Sequence, residues 1–409
     1  MKRTLCATTA LVFAGSMASA DVAVTGSAEL GVSGKKGKDA MLHKDIDVNF
    51  GMTGSTDTGL SFGASIDLDE AQDADTFNKN GHVFVSGIFG TLTLGDTDGA
   101  FDKALEEVGK GGSIADDHTS HPGYNGNGGL DGETGNGGNI LRYDYSLGGI
   151  TVSASGEFGA MDSSNSVVGA GVAWSGDIGG VGMGIGLGFQ SGKGTQMIAG
   201  SRAVPQVAAR CVASDGTVTD SSQTNTLTCP DGSTIGVPGA KGVPEVLART
   251  DSKKGSAIGA SASVDMGNGF SVVANYSQKN LDTIRGDADG DIADNAQSFE
   301  GGFADTKVKT AHTGIGIGYT TGNVTVGVNA GSSTTKTSGI MDNRASGATD
   351  PAYEQDTKET KASGVGASVV YGLGDGVSLQ VGVGSGKDTS KKAGEQKVSR
   401  WSVGMAFSF

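Results

Sequence analysis

The sequence predicts an all-β chain folded as a sixteen-stranded antiparallel transmembrane barrel, with short turns at one end and long loops at the other. Three observations predict it. Glycine supplies 72 of the 409 residues, a poor composition for helices, because each interior helical Gly costs roughly 1 kcal/mol relative to Ala. Apolar side chains recur at alternate positions through sixteen segments, the period of a strand with two unlike faces. Beyond the first twenty residues no stretch approaches the ~20 apolar residues that a membrane helix needs. The glycines keep no three-residue period, which excludes collagen, and the low charged content (18%) with steady Val, Ile and Leu argues against disorder.

The amino terminus reads as an export signal. Lys2 and Arg3 precede a mostly apolar run from Leu5 to Gly15, and Ala18-Ser19-Ala20 supplies a small-residue cleavage pattern, so cleavage is expected before Asp21. An uncleaved anchor helix is the alternative, for which the apolar run is short. The mature chain, residues 21–409, then carries a net charge of −17. That balance disfavours nucleic acid, and it disfavours binding driven by anionic lipid headgroups. Cys6 leaves with the signal. Cys211 and Cys229 remain as an even pair in an exported chain, so a disulfide is expected between them.

Along the chain, Val22, Val24, Ala28, Leu30 and Val32 alternate with Thr25, Ser27 and Glu29. Ile46, Val48, Phe50 and Met52 follow, then Leu60 to Leu68, then segments near 81–89, 91–96, 139–147, 150–157, 166–175 and 180–190. The second half continues at 255–266, 269–277, 307–319, 323–331, 362–372, 376–385 and 396–409. Connections fall into two classes. Thr56–Gly59, Leu147–Gly149, Gly267–Gly269, Thr320–Asn323 and Gly374–Gly376 are tight, with Gly or Asn supplying the positive φ of hairpin turns. The others are polar, and the longest are 98–138, 191–254, 278–306 and 332–361. The two classes alternate, so every hairpin points the same way, as in an outer-membrane barrel. A soluble sandwich also alternates, but nothing in it gathers the long loops at one end. A glycine-rich solenoid would show a short fixed repeat, and none is present.

The carboxyl terminus adds to this reading. Trp401, Val403, Met405, Phe407 and Phe409 alternate with Arg400, Ser402, Gly404, Ala406 and Ser408. In a closed barrel the last strand pairs with the first and turns that apolar face to lipid.

Two stretches resemble the general-diffusion porins of α-proteobacteria, namely Gly51–Ser65 (GMTGSTDTGLSFGAS) and Val83–Asp96 (VFVSGIFGTLTLGD). The resemblance covers about residues 1–97 and rests beyond them on strand pattern. It implies a trimer of sixteen-stranded barrels, a loop after the fifth strand folded into the channel (residues 98–138), and a terminal Phe409 read by the barrel-assembly machinery. The connection at 191–254 has no counterpart in the resemblance.

A sixteen-stranded barrel is too wide for its own side chains to fill, so whatever narrows it sets selectivity. Residues 98–138 hold Asp98, Asp102, Glu106, Glu107, Asp116, Asp117, Asp131 and Glu133 against Lys103 and Lys110. Phe101, Leu105 and Val108 at helical spacing predict a helical segment over 101–108 resting on the wall, with Asp102 and Glu106 toward the lumen. Arg142, Asp144, Arg400 and Lys44 are expected to point inward, either facing the acidic loop or closing ordinary ion pairs along the wall. Inward acids outnumber inward bases, which predicts a mild cation preference for a passive channel carrying small hydrophilic solutes and ions. Outer-membrane lipid is the expected surrounding. Outward Tyr143, Tyr145, Trp174, Phe189, Tyr276, Tyr319, Tyr371 and Trp401 fit interfacial aromatic girdles.

Asp287, Asp289 and Asp291 open like a calcium loop, yet Ile292 stands where the loop needs Gly and Ser298 where it needs an acid. A solvated acidic loop is the better reading, with structural calcium as the alternative and no other cofactor expected. Gly182–Gly188 repeats G-x-G inside an alternating segment, not at a strand-to-helix turn, and does not read as a nucleotide site. None of the five histidines lies near a nucleophile-elbow motif, so a barrel-anchored hydrolase is a lesser alternative. A solute-specific channel and an adhesive barrel are the others.

Overall fold

The computed structural model describes residues 20–69, 81–117, 121–131, 139–158, 166–198, 209–213, 218–222, 233–237, 249–284, 303–342, 353–389 and 396–409. Strands β1 (Ala20–Lys35), β2 (Met41–Ser55), β3 (Ser61–Asp69), β4 (Gly81–Gly87) and β5 (Gly90–Asp96) lead to two single turns of helix, α1 (Ala100–Lys103) and α2 (Ile114–Asp117). The chain continues through β6 (Asn139–Leu147), β7 (Ile150–Phe158), β8 (Ser166–Ile178) and β9 (Val181–Ile198). Three short strands follow, β10 (Ala209–Ala213), β11 (Val218–Ser222) and β12 (Ser233–Val237). The last seven are β13 (Arg249–Asp265), β14 (Phe270–Ile284), β15 (Phe303–Thr321), β16 (Val324–Asp342), β17 (Tyr353–Gly374), β18 (Val377–Asp388) and β19 (Gln396–Ser408).

Sixteen strands close into one antiparallel barrel, each beside its neighbour in sequence, with β9 paired to β13 across the short three-stranded sheet β11-β10-β12. Closure is made by β1 and β19, in register from Ser27↔Ser408 to Lys35↔Arg400. Phe409 completes the seam: its N–H donates to the Gly26 carbonyl at 2.9 Å, and its ring stacks on Phe407. The expected strand count, closure and alternation of turns with loops are all present.

The barrel is built inside out. Val22, Leu30, Ile46, Leu187, Ile315, Val365, Val383 and Val403 lie exposed on the outer face, as a lipid-facing wall requires. Tight turns carry positive φ at Gly59, Gly148, Gly149, Gly179, Gly180, Gly267, Gly269, Gly322, Gly374 and Gly376, and also at Asp375. Strands near the loop end run longer than alternation indicates: β13 begins at Arg249, β16 reaches Asp342 and β17 begins at Tyr353. Their ladders continue past the apolar band, where both faces are polar and period two disappears.

Residues 1–19, Cys229, Asp287, Asp289 and Asp291 lie outside the described residues, as does the side chain of Cys211 in β10.

Candidate functional site

The connection between β5 and β6 turns into the barrel and runs along its inner wall. Its entry is fixed by Arg142 on β6, whose Nε donates to Asp144 Oδ2 at 2.9 Å, while Nη1 donates to Thr97 Oγ1 and to the Asp98 carbonyl. The Ala100 N–H then donates to Ser155 Oγ on β7 at 2.9 Å. Phe101, fully buried, packs with Leu105, Leu130, Val167 and Ala257. The Glu106 N–H donates to Ser261 Oγ on β13 at 2.9 Å. Val108 lies against β15, and Ile114 reaches the barrel seam between β1 and β19.

This outbound leg is seated on glycines. An added Cβ at Gly171, Gly186, Gly316 or Gly327 would overlap the carbonyl oxygen of Ala100, Ala104, Val108 or Lys110 respectively. The wall is bare there so that loop backbone can lie directly on strand backbone. Only Ala100–Lys103 is helical, not the expected 101–108. From Ala100 over β8 to Val108 over β15 the leg passes four strand spacings, about 19 Å. Eight helical residues rise only about 12 Å, so the chain must extend.

The return leg is polar. His121 lies against Gly364 on β17, and the Gly123 backbone against Gly331 on β16. Asn125 Nδ2 donates to Asn275 Oδ1 at 3.2 Å, and Asn275 Nδ2 donates to Asn127 Oδ1 at 3.0 Å. Ser277 Oγ donates to Asn125 Oδ1 at 3.1 Å. Gln190 on β9, wholly buried, accepts from the Leu130 N–H at 2.7 Å and donates to Asp131 Oδ1 at 2.8 Å. Burial, together with the nearby Glu157 carboxylate, pushes the Asp131 carboxyl up to about 6, against the opposing hydrogen bonds from Gln190 and Gly99.

The expected constriction residues divide by position. Asp98 is exposed at the entry. Glu106 is half-exposed and holds Lys110 Nζ at 2.7 Å, while Glu107 accepts from the Tyr124 hydroxyl of the other leg at 3.3 Å. Asp102 is buried rather than turned to the lumen, because the single turn of α1 packs as a unit on β7, β8 and β9. Asp116 and Asp117 end α2, and their side chains are outside the described residues. Arg142 and Asp144 point inward as expected, but as a wall pair that tethers the loop. Arg400 lies on the inward parity of β19 beside buried Ser402. Lys44 does not point inward: it opposes outward Leu30 and shares the parity of Leu42 and Ile46, so it stands exposed on the outer face. The inward titratable residues of β2 are His43, Asp45 and Asp47.

Glu29, His43 and Asp45 bring one ligand atom each within 4.8 Å of one another, a donor set able to take a divalent metal. In this structure Glu29 Oε2 accepts from His43 Nε2 at 2.9 Å and from the Ala115 N–H at 2.8 Å, so the cluster anchors the far end of the loop.

The family model for Gram-negative porins matches residues 7–392. The chain belongs to the Gram-negative porin family. With its closed barrel, this membership places the protein in the outer membrane. It is similar to a porin of Rhodobacter capsulatus, 36% identical over 140 residues, a match covering 33% of this chain and 44% of that protein's length. Among solved structures it superposes on a porin refined at 1.8 Å with TM-score 0.56 and 20% identity, over 95% of this chain and all of the other. The in-vitro folded outer membrane protein OmpT of Vibrio cholerae gives 0.54 at 10% identity, over 95% of this chain and 98% of that one. An anion-selective porin from Comamonas acidovorans gives 0.52 at 15% identity, over 96% of this chain and all of that one. At these identities the structures speak for the fold.

The sequence reading of this porin missed the seat of its loop: Gln190, Asn275, Ser261 and the bare wall positions. A signal was present. Gly182, Gly184, Gly186 and Gly188 all fall on the inward parity of β9, and Gly314, Gly316 and Gly318 on that of β15. Inward glycines on successive strands mark a wall against which something lies.

Proposed function

We propose that this porin is a passive, water-filled channel for small hydrophilic solutes and ions, working as a homotrimer with a mild preference for cations and without chemical turnover. The observation that carries the reading is the course of the constriction loop. Both legs lie flat on the inner wall, so the loop narrows the barrel without plugging it. A recess of about 600 Å³ opens on the turn side of the loop, lined by Glu106, Lys110, Ser261, Ser263, Asp265 and Ser271. Such a hydroxyl- and charge-lined surface suits hydrated solutes.

The cation preference follows from the lumen's charges. Among the described residues, Asp98, Asp102, Glu106, Glu107 and Asp131 on the loop with inward Glu29, Asp45, Asp47, Asp67, Asp144 and Glu157 on the wall outnumber Lys103 and Lys110 on the loop with inward Lys35, Arg142, Lys253, Lys279, Lys358 and Arg400. Because Lys110 pairs with Glu106 on the same leg, it offsets that acid locally and sets up no opposed basic surface. Reversal potential across a potassium chloride gradient tests this: a potential of cation-selective sign is expected, and an anion-selective sign contradicts it. The trimer is supported by a trimer form among the structural neighbours, that of Vibrio cholerae OmpT, and is tested by the mass of the detergent-solubilised protein.

A further inference from the structure

Beside the barrel seam, strand register gathers metal-ligating side chains on the inner wall. On β1 and β2 the outward parity is held by Leu30, Leu42 and Ile46, so Glu29, His43 and Asp45 face the lumen. Glu29 and Asp45 stand directly opposed across the ladder. His43 lies one inward step nearer the loop end, opposite Gly31, and its Nε2 reaches Glu29 Oε2 diagonally at 2.9 Å. All three side chains are half-buried, and one donor atom of each lies within 4.8 Å of the other two.

Like charges directly opposite one another are destabilising, and a divalent cation between Glu29 and Asp45 turns that repulsion into shared attraction. One imidazole nitrogen with two carboxylates suits zinc and its borderline neighbours, whereas calcium and magnesium prefer shells built wholly of oxygen. Tetrahedral ligands at about 2.0–2.2 Å from zinc stand about 3.3–3.6 Å apart, so small side-chain shifts close the shell. The constriction loop supplies a further, independent contact. The Ala115 N–H donates to Glu29 Oε2 at 2.8 Å, orienting the carboxylate as groups behind a metal ligand do. Ile114 beside it lies against Gly31 and Gly404, and its carbonyl accepts from Ser402 Oγ at 3.2 Å, so the α2 end of the loop is seated on this cluster.

We propose that Glu29, His43 and Asp45 form a lumenal site for a divalent transition metal of the zinc class, which fixes the α2 end of the constriction loop and reduces the channel's cation preference. Channel water fills the remaining coordination position, as in open three-ligand sites. On binding, the His43 Nε2 proton held against Glu29 leaves to water, and the Nε2 lone pair passes to the metal. Glu29 keeps the Ala115 N–H while its charge is shared with the ion, so the metal and the loop backbone hold the same carboxylate. The ion adds positive charge to a wall that otherwise attracts cations. This last effect rests on the channel reading above, whereas the site itself rests on the geometry of the three side chains.

The test is titration of the folded, metal-stripped protein in detergent with Cu²⁺ as the spectroscopic probe and Zn²⁺ as competitor. Wild type should show one tight site whose electron paramagnetic resonance spectrum carries coupling to an imidazole nitrogen, displaced by Zn²⁺ and not by equal Ca²⁺. H43Q should weaken binding at least about tenfold and abolish the coupling. D45N should weaken it and keep the coupling; if H43Q does not fold, D45N is read against H312Q. His312 faces the lumen on β15, five strands from β1, and H312Q should bind as wild type does. Glu29 is left in place because it also holds the loop. In planar bilayers Zn²⁺ should move the reversal potential of wild type, but not of H43Q, toward zero. Absent nitrogen coupling in wild type, unweakened binding by H43Q, or Ca²⁺ competing as well as Zn²⁺ overturns the site. A reversal potential indifferent to Zn²⁺ overturns its regulatory role, whereas a silent bilayer with the copper spectrum intact overturns the channel reading alone.

Discussion

Residues 99–114 and 121–131 follow the same inner wall, yet one leg adds apolar burial and close backbone packing to its wall hydrogen bonds, while the other depends almost wholly on side-chain amides. The outbound leg buries Phe101, Leu105, Val108 and Ile114 and presses its carbonyls onto bare glycine backbone. The return leg has Leu130 as its buried apolar anchor and otherwise depends on Asn125, Asn127, Asn275, Ser277 and Gln190. The difference teaches how a loop of high glycine and acid content is kept still inside water. Apolar side chains alone cannot cover two antiparallel legs in a lumen, because the inner leg would expose them. The second leg is therefore tied by amides that lose little by being near water.

If this comparison is right, damage to the two legs should look different. The largest effect is expected from Gly327→Ala, whose methyl meets the Lys110 carbonyl. The outbound leg should be driven into the lumen, lowering single-channel conductance by about half or more. Gly182→Ala, inward on β9 with its nearest neighbour at 3.5 Å, should leave conductance unchanged and serves as the matched control. Phe101→Ala comes next. It should loosen the outbound leg by about 3–5 kcal/mol, read as lost hydrogen-exchange protection over residues 100–108 while the barrel strands keep theirs. Ser277→Ala removes the wall hydroxyl that donates to buried Asn125 Oδ1, a cost of about 1–3 kcal/mol. It should free residues 125–127 and leave 100–108 protected, which is the sharpest separation of the two legs.

The smallest effect concerns pH. The Asp131 carboxyl is raised from its ordinary value of 3.8 to about 6 where the legs meet. The native state there holds a proton that the detached loop would release, so the seat is firmest below about 4 and weakens as pH rises through about 6. Exchange of the Leu130 amide should accelerate over that window, and Glu157→Gln, by removing the like charge, should shift the window downward. A seat that tightens with rising pH would contradict the assignment.

Much of the barrel was legible because lipid imposes a strict rule on alternate side chains. The pattern at Ile315-Gly316-Ile317-Gly318-Tyr319 has one reading as a strand, and the terminal Trp401–Phe409 run has one as a closing strand. Lys44 shows the limit of applying that rule loosely: it shares parity with Ile46 and Val48, and its charge obscured an orientation that the neighbours dictate. The loop was legible in composition but not in conformation. Phe101, Leu105 and Val108 are wall contacts as their apolar character indicates, but their helical spacing misleads, since the strand spacing of the wall dictates how far the chain must stretch. Strands β10, β11 and β12 lie in the 191–254 connection, where no lipid face disciplines the sequence and no alternation announces them. The glycine seats were written in parity all along. A missing side chain on the inner wall acquires meaning only once the backbone lying on it is seen.

Conductance of single channels in a planar bilayer tests the central claim most directly, that a wall-seated loop leaves an open aqueous path through a closed barrel. The purified protein should give unitary steps that rise in proportion to salt concentration without saturating, as ions moving through water do. Insertion of folded barrels that leave the bilayer electrically silent would contradict the account.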